Sequence, residues 1–324
     1  MLWLLSALPF VLISTLVFRD DDDDDDTTTD TSGEVGEPPL STGVDDDLDL
    51  TEGDDRFDAS SGDDFVRGLG GNDFIEGSSG NDALSGGDGN DTLLGEGGRD
   101  LLEGGPDDDL LDGGINDDSL LGGTGDDLLD GGDGADSIKG NDGNDSIRGE
   151  NGDDTLQGGL GEDDLRGGDG DDIVEGGAND DVVRGNDGND TVLGLEGNDT
   201  LEGGAGADVL DGGPGTDQLT GGADSDTFII SIDRGAGEPV PENTATITDF
   251  ATEGAEEDLL ELFLGPEDDA LDLSVAEDGD DALLTLGEGA EAVTIARIVD
   301  GAVKGFSLAN VVTIAEDAVP ATAA

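Results

Sequence analysis

The chain is 324 residues long, with 85 acidic residues against 11 basic ones, no histidine, no cysteine and a net charge of −74. That balance excludes nucleic acid as a partner, because phosphate binding needs basic surface, and it disfavours anionic membrane surfaces. Without histidine or cysteine, Ser-His-Asp and Cys-His catalysis, ordinary zinc sites, haem ligation and disulfides all fall away, leaving hard oxygen ligands in excess.

In chain order, residues 1–18 are uncharged and mostly apolar. They are just long enough for a membrane span or a signal-peptide core. The segment lacks a basic leader and a small-x-small cleavage site, so three readings stay open: an uncleaved membrane anchor, a signal segment, or a misassigned start. Residues 19–49, with seven consecutive aspartates at 20–26 followed by Thr, Ser, Pro and acidic residues, read as an acidic disordered linker. Leu48 lies nine residues before Phe57 and predicts a degenerate unit ahead of the array.

From Leu50 to Ile229 a nine-residue unit repeats twenty times without insertion or deletion, approximating GGxGxDxUx with U a large apolar residue. Such a gapless array implies stacked units, because a slip would break the stack. The sixth position is always aspartate: Asp55, Asp64, Asp73, Asp82, Asp91, Asp100, Asp109, Asp118, Asp127, Asp136, Asp145, Asp154, Asp163, Asp172, Asp181, Asp190, Asp199, Asp208, Asp217 and Asp226. The eighth is always apolar, from Phe57, Val66 and Ile75 to Leu219 and Phe228. Position four is glycine in sixteen units and Asp107, Asn116, Asn179 or Asp224 in the rest. Asn and Asp best tolerate left-handed backbone, so these exceptions point to a turn.

The expected geometry makes the first six residues of each unit a turn and the last three a short strand. Position eight faces inward and positions seven and nine outward. Two units close one coil of a flattened, right-handed parallel β-roll of about ten coils, about 48 Å long at the usual strand spacing. One aliphatic side chain per unit is too little core to order nine glycine-rich residues, and the stacked carboxylates repel one another. The array is therefore expected to need cations. An aspartate every nine residues beside carbonyl-rich turns supplies the oxygens that Ca²⁺ prefers. Sandwiched between adjoining turns, up to about 18 calcium ions are expected, with all twenty aspartates as ligands.

Beyond Ile229 the period stops. Ala245–Phe250, Ala282–Leu286 and Ala292–Ala296 alternate or cluster β-formers between Gly, Asp and Glu turns. Residues 230–315 are expected to form a small β-rich C-terminal domain, and 316–324 a flexible tail.

Units such as Gly86–Leu94 (GGDGNDTLL) and Gly131–Lys139 (GGDGADSIK) resemble the nonapeptide of the repeats-in-toxin (RTX) family of exported bacterial proteins. The closing Gly221–Phe228 (GGADSDTF) and Thr246–Phe250 (TITDF) resemble the end of such arrays in serralysin-type proteins. That resemblance implies an uncleaved type I secretion region from about residue 230 and hence type I export machinery as a partner. The reading that follows is a non-enzymatic, calcium-binding exported bacterial protein with a structural, surface or matrix role. It would be extracellular or held at the cell surface through residues 1–18, with cell-surface or matrix components as partners. The alternative is a calcium-dependent adhesin or ligand-binding module using an outward face, where Arg148, Arg166 and Arg184 recur eighteen residues apart. Ordinary pairing with Asp130, Asp164 and Glu202 is the plainer expectation for these arginines.

Overall fold

A computed structural model describes residues 43–232, 244–250, 258–264, 273–278, 281–286, 293–298 and 311–315. The expectations for residues 1–18, for the linker up to residue 42 and for the tail lie outside these residues. Every described element is a strand, and no described helix is long and apolar enough to cross a membrane. Strands β1 (Asp47–Asp49) to β21 (Thr227–Ile232) fall alternately into two sheets, odd numbers in one and even in the other. Neighbours within a sheet are parallel and eighteen residues apart, as in Leu111↔Leu129↔Ile147 and Leu120↔Ile138↔Leu156. The chain is thus a parallel β-solenoid in which two nonapeptides make one coil, as the period requires.

The core is a double column of the position-eight residues. All twenty, from Phe57 to Phe228, are at most 2% exposed. Strand alternation sends their neighbours outward: Leu129 is 0% exposed and the adjoining Leu128 38%. The column ends on aromatic rings, with Phe57 first and Phe228 packed on Phe250 at a centroid distance of 5.7 Å. Leu48 sits in β1 opposite Val66, so a degenerate unit does precede the array, in residues assigned above to the linker.

The strands are longer than three residues. Most run for six, from position seven of one unit to position three of the next, as in Leu128–Asp133. The pairing skips position one, where Gly131 has no register partner, so each strand is two short arms joined at a corner. The chain bends at position two, which from Ser60 onward adopts positive φ even where it is not glycine: Leu69 at 78°, Glu96 at 71°, Glu150 at 75° and Leu195 at 73°. At position four the expected left-handed backbone is present, with Asp107, Asn116, Asn179 and Asp224 at φ 76°, 74°, 87° and 77°.

The described strands past Ile232 extend both sheets. β22 (Thr244–Ile247) adds in parallel beside Thr216–Ala223, and β23 (Leu259–Leu264) beside β21. The eighteen-residue offset widens there, Leu219 facing Ile247 and Phe228 facing Leu260. β24 (Leu273–Asp278), β25 (Asp281–Leu286) and β26 (Val293–Ile298) form an antiparallel end to one sheet. β27 (Val311–Ala315) lies parallel to β23 at the end of the other.

Candidate metal centre

Each position-six aspartate from Asp64 to Asp208 is tied to both neighbouring coils in its own sheet. Asp127 donates its N–H to Asp145 Oδ1 at 2.9 Å, and Asp145 donates to Asp163 Oδ1 at 2.8 Å. The Asp127 carbonyl accepts the N–H of Ser146 at 2.8 Å. One carboxylate oxygen of each of these rungs therefore serves the backbone of the coil before it. The other oxygen has no such use. In the seventeen aspartates from Asp64 to Asp208, Oδ2 is buried and has no hydrogen-bond partner. A buried, unpartnered carboxylate oxygen is costly, and a row of them needs a compensating charge. Asp55 differs: its Oδ2 accepts the N–H and the hydroxyl of Thr51, both at 2.8 Å.

Glycine at position one shows where the free oxygen points. A β-carbon placed on Gly95 would stand 2.6 Å from Asp100 Oδ2 and 2.6 Å from the carbonyl oxygen of Gly113 in the next coil. On Gly113 it would stand 2.7 Å from both Asp118 Oδ2 and the Gly131 carbonyl oxygen. A carboxylate oxygen and a carbonyl oxygen thus converge on the space that glycine leaves open. Two acceptors aimed at one space repel each other unless a cation lies between them, and an all-oxygen set suits a hard cation such as calcium.

Burial raises these carboxyls, and the neighbouring aspartates add to the rise. Asp109, Asp118, Asp127, Asp172 and Asp181 are pushed up to about 7, and Asp145, Asp154 and Asp163 to about 6, from an ordinary 3.8. Desolvation is the main cause, and the N–H received from the preceding coil opposes it in every case.

A second ladder, which the sequence reading missed, runs along position five in the opposite direction. Asn144 donates its N–H to Asp126 Oδ1 at 2.9 Å, and Glu162 donates to Asn144 Oδ1 at 2.8 Å. Asn189 repeats the pattern on Asp171, and its backbone and side-chain N–H groups hold that carboxyl below its usual range. The sequence signal was present: position five is Asp or Asn in fourteen of twenty units. It is simply indistinguishable from a solvated acidic face until the stacking is known.

The three arginines do align, Arg148 beside Arg166 and Arg166 beside Arg184. Their guanidinium groups meet carboxylates of the same chain: Arg148 with Asp130 at 3.9 Å, Arg166 and Arg184 with Asp164 at 2.8 and 2.6 Å, and Arg184 with Glu202 at 3.7 Å.

Fold and corners together define a repeat protein, a parallel β-solenoid whose turns are lined with carboxylate and carbonyl oxygens. The sequence of those turns gives the particular family: residues 42–228 match the RTX calcium-binding nonapeptide repeat, in overlapping segments from 42–75 to 193–228, and the chain belongs to that family. No curated protein matches the chain. Among solved structures it is similar to the AlgE6R2 subunit of the Azotobacter vinelandii mannuronan C5-epimerase, at 29% identity over 45% of this chain and 94% of that one, with a TM-score of 0.31. The AlgE6R3 subunit of the same enzyme is 27% identical over 49% of this chain and 84% of that one, with a TM-score of 0.18. The extracellular lipase LipA from Serratia marcescens is 18% identical over 74% of this chain and 44% of that one, with a TM-score of 0.28.

Proposed function

We propose that this is a non-enzymatic protein of the bacterial exterior whose array folds when it meets extracellular calcium. The observation that carries the reading is the row of seventeen buried aspartate oxygens with no partner. Bound calcium would supply the positive charge those oxygens lack. The residues that would hold it are the position-six aspartates and the position-one carbonyls of the adjoining coil. Cytosolic calcium is too scarce to load weak sites, whereas extracellular modules typically bind at about 10⁻⁴–10⁻³ M. The chain would stay open inside the cell, pass through type I export machinery, and close outside, where folding makes return unfavourable. A structural place in a surface coat or matrix suits a stiff acidic rod. The adhesin alternative is less favoured, because Arg148, Arg166 and Arg184 already meet Asp130, Asp164 and Glu202.

Circular dichroism of the full chain tests the first part. The spectrum should be largely unfolded in chelator and β-rich in millimolar calcium, with magnesium a poor substitute because it resists dehydration. A β-rich spectrum unchanged by excess EDTA would sink the reading. For export, removal of residues 230–324 should trap the chain inside, and removal of residues 1–18 should release soluble protein into the medium. The reverse pattern would replace the type I assignment with an N-terminal signal.

A further inference from the structure

The nonapeptides are nearly uniform, but their first two members are built differently at the place that matters. Position one is glycine in eighteen units and is Leu50 and Ala59 in the other two. Both residues occupy the same backbone position as the glycines. Leu50 donates its N–H to Arg67 and Ala59 to Glu76, each at 2.8 Å, as Gly77 does to Leu94. At equivalent glycines a β-carbon would fall between the carboxylate oxygen and the next carbonyl, at 2.6 Å from each in the case of Gly95. Ala59, which is 0% exposed, puts a methyl group into that space, and Leu50 puts a larger side chain against the core.

The carboxylates give an independent sign. Asp55 Oδ2, in the unit that begins with Leu50, is already satisfied by the N–H and hydroxyl of Thr51. From Asp64 to Asp208, by contrast, that oxygen is buried without a partner. In the first unit a threonine therefore does what a cation would do elsewhere. Ala59 and Asp64 form the junction, with the space filled but the oxygen still unpartnered.

We propose that the N-terminal end of the roll is a metal-free cap: units 50–58 and 59–67 hold no cation, and loading begins where Gly68 faces Asp73. The inference rests on the calcium reading above. It assigns the end coil to packing and hydrogen bonds alone, so that the first loaded corner is laid on a surface that needs no ion of its own. Asp55 and Asp64 then leave the ligand set expected from the repeat. Sixteen corners remain that combine a position-one glycine with a buried, unpartnered Oδ2, from Asp73 to Asp208.

Native mass spectrometry of the full chain in saturating calcium counts bound ions as integers, with circular dichroism on the same samples reporting the fold. Asp55→Asn should keep the wild-type number of ions and the wild-type calcium midpoint. Ala59→Gly should bind one ion more, and Asp73→Asn one fewer. Loss of an ion in Asp55→Asn, or an unchanged count in Ala59→Gly, would overturn the cap. Asp55→Asn leaves the core intact and Ala59→Gly removes only one buried methyl group, so both remain informative if Asp73→Asn folds poorly. A wild-type chain that binds no calcium would instead overturn the calcium reading itself.

Discussion

Leu129 and Leu128 are adjacent, chemically identical and oppositely placed, which makes the pair a direct probe of the solenoid. Leu129 is 0% exposed and stacks in register between Leu111 and Ile147, whereas Leu128 is 38% exposed on the outer face. Replacing Leu129 with aspartate forfeits about 1.5–3 kcal/mol of side-chain burial and leaves a carboxylate in a dry column with no cation or donor beside it. That second cost is several kcal/mol when the charge is unpaired. The sum, roughly 5 kcal/mol or more, corresponds to over a thousandfold in a folding constant. The same change at Leu128 should cost about 0.5 kcal/mol, in line with ordinary surface substitutions. Solenoid stability is a sum of neighbour interfaces, so the damage at Leu129 should be local and divide the roll near its middle. A calcium titration followed by circular dichroism, with limited proteolysis of the loaded chain, reads this out. Leu129→Asp should lose β-structure even in saturating calcium and be cut near residue 129, while Leu128→Asp should titrate like the wild type. Equal midpoints and equal cutting would refute the strand facing and the column with it.

The buried carboxyls set a pH dependence. In the metal-free fold Asp127 and Asp181 are raised to about 7 from 3.8, so the folded form holds protons that the unfolded chain has released. Its stability without metal is therefore greatest in acid and falls as pH climbs through that window. Calcium has to displace those protons, and its midpoint should rise severalfold when titrations move from about pH 7.5 to about pH 5.5; a midpoint independent of pH would contradict the burial. Gly113→Ala puts a methyl 2.7 Å from Asp118 Oδ2 and the Gly131 carbonyl, and should lower the ion count measured by native mass spectrometry. Gly97→Ala is its control, because its nearest neighbours stand at 3.5 Å, and should leave the count unchanged. Asp136→Ala should shift the calcium midpoint much more than Asp55→Ala, since the central residue binds coils on both sides; equal midpoints would argue against stacked sites.

The period alone made the fold legible. An apolar residue every nine positions fixes which side chain is buried, and the columns from Phe57 to Phe228 follow it without exception. The position-six aspartates were legible as candidate ligands for the same reason, as hard oxygen ligands recurred beside glycine. What stayed hidden depends on contacts between coils. Asp126 and Asn144 look like solvated surface until stacking places the N–H of one coil on the side chain of another. The corner at position two was masked because Leu69, Glu96, Glu150 and Leu195 accept a backbone that a reader assigns to glycine. Thr51 stood beside Asp55 in plain view, but its hydrogen bonds required the folded turn. The pairing of β22 and β23 was beyond reach because intervals of 28 and 32 residues follow no repeat.

The alternation of units between two sheets makes the roll sensitive to parity. Losing one nonapeptide would move every later unit to the opposite sheet. It would carry the stripe through Arg148, Arg166 and Arg184 to the other face and present the wrong final strand to β22 and β23. Losing two adjacent nonapeptides would shorten the rod by about 4.8 Å and leave each face, and each closing strand, where it was. Length in this architecture is therefore quantised in steps of eighteen residues, and genes that encode it can lengthen or shorten freely only by even numbers of units.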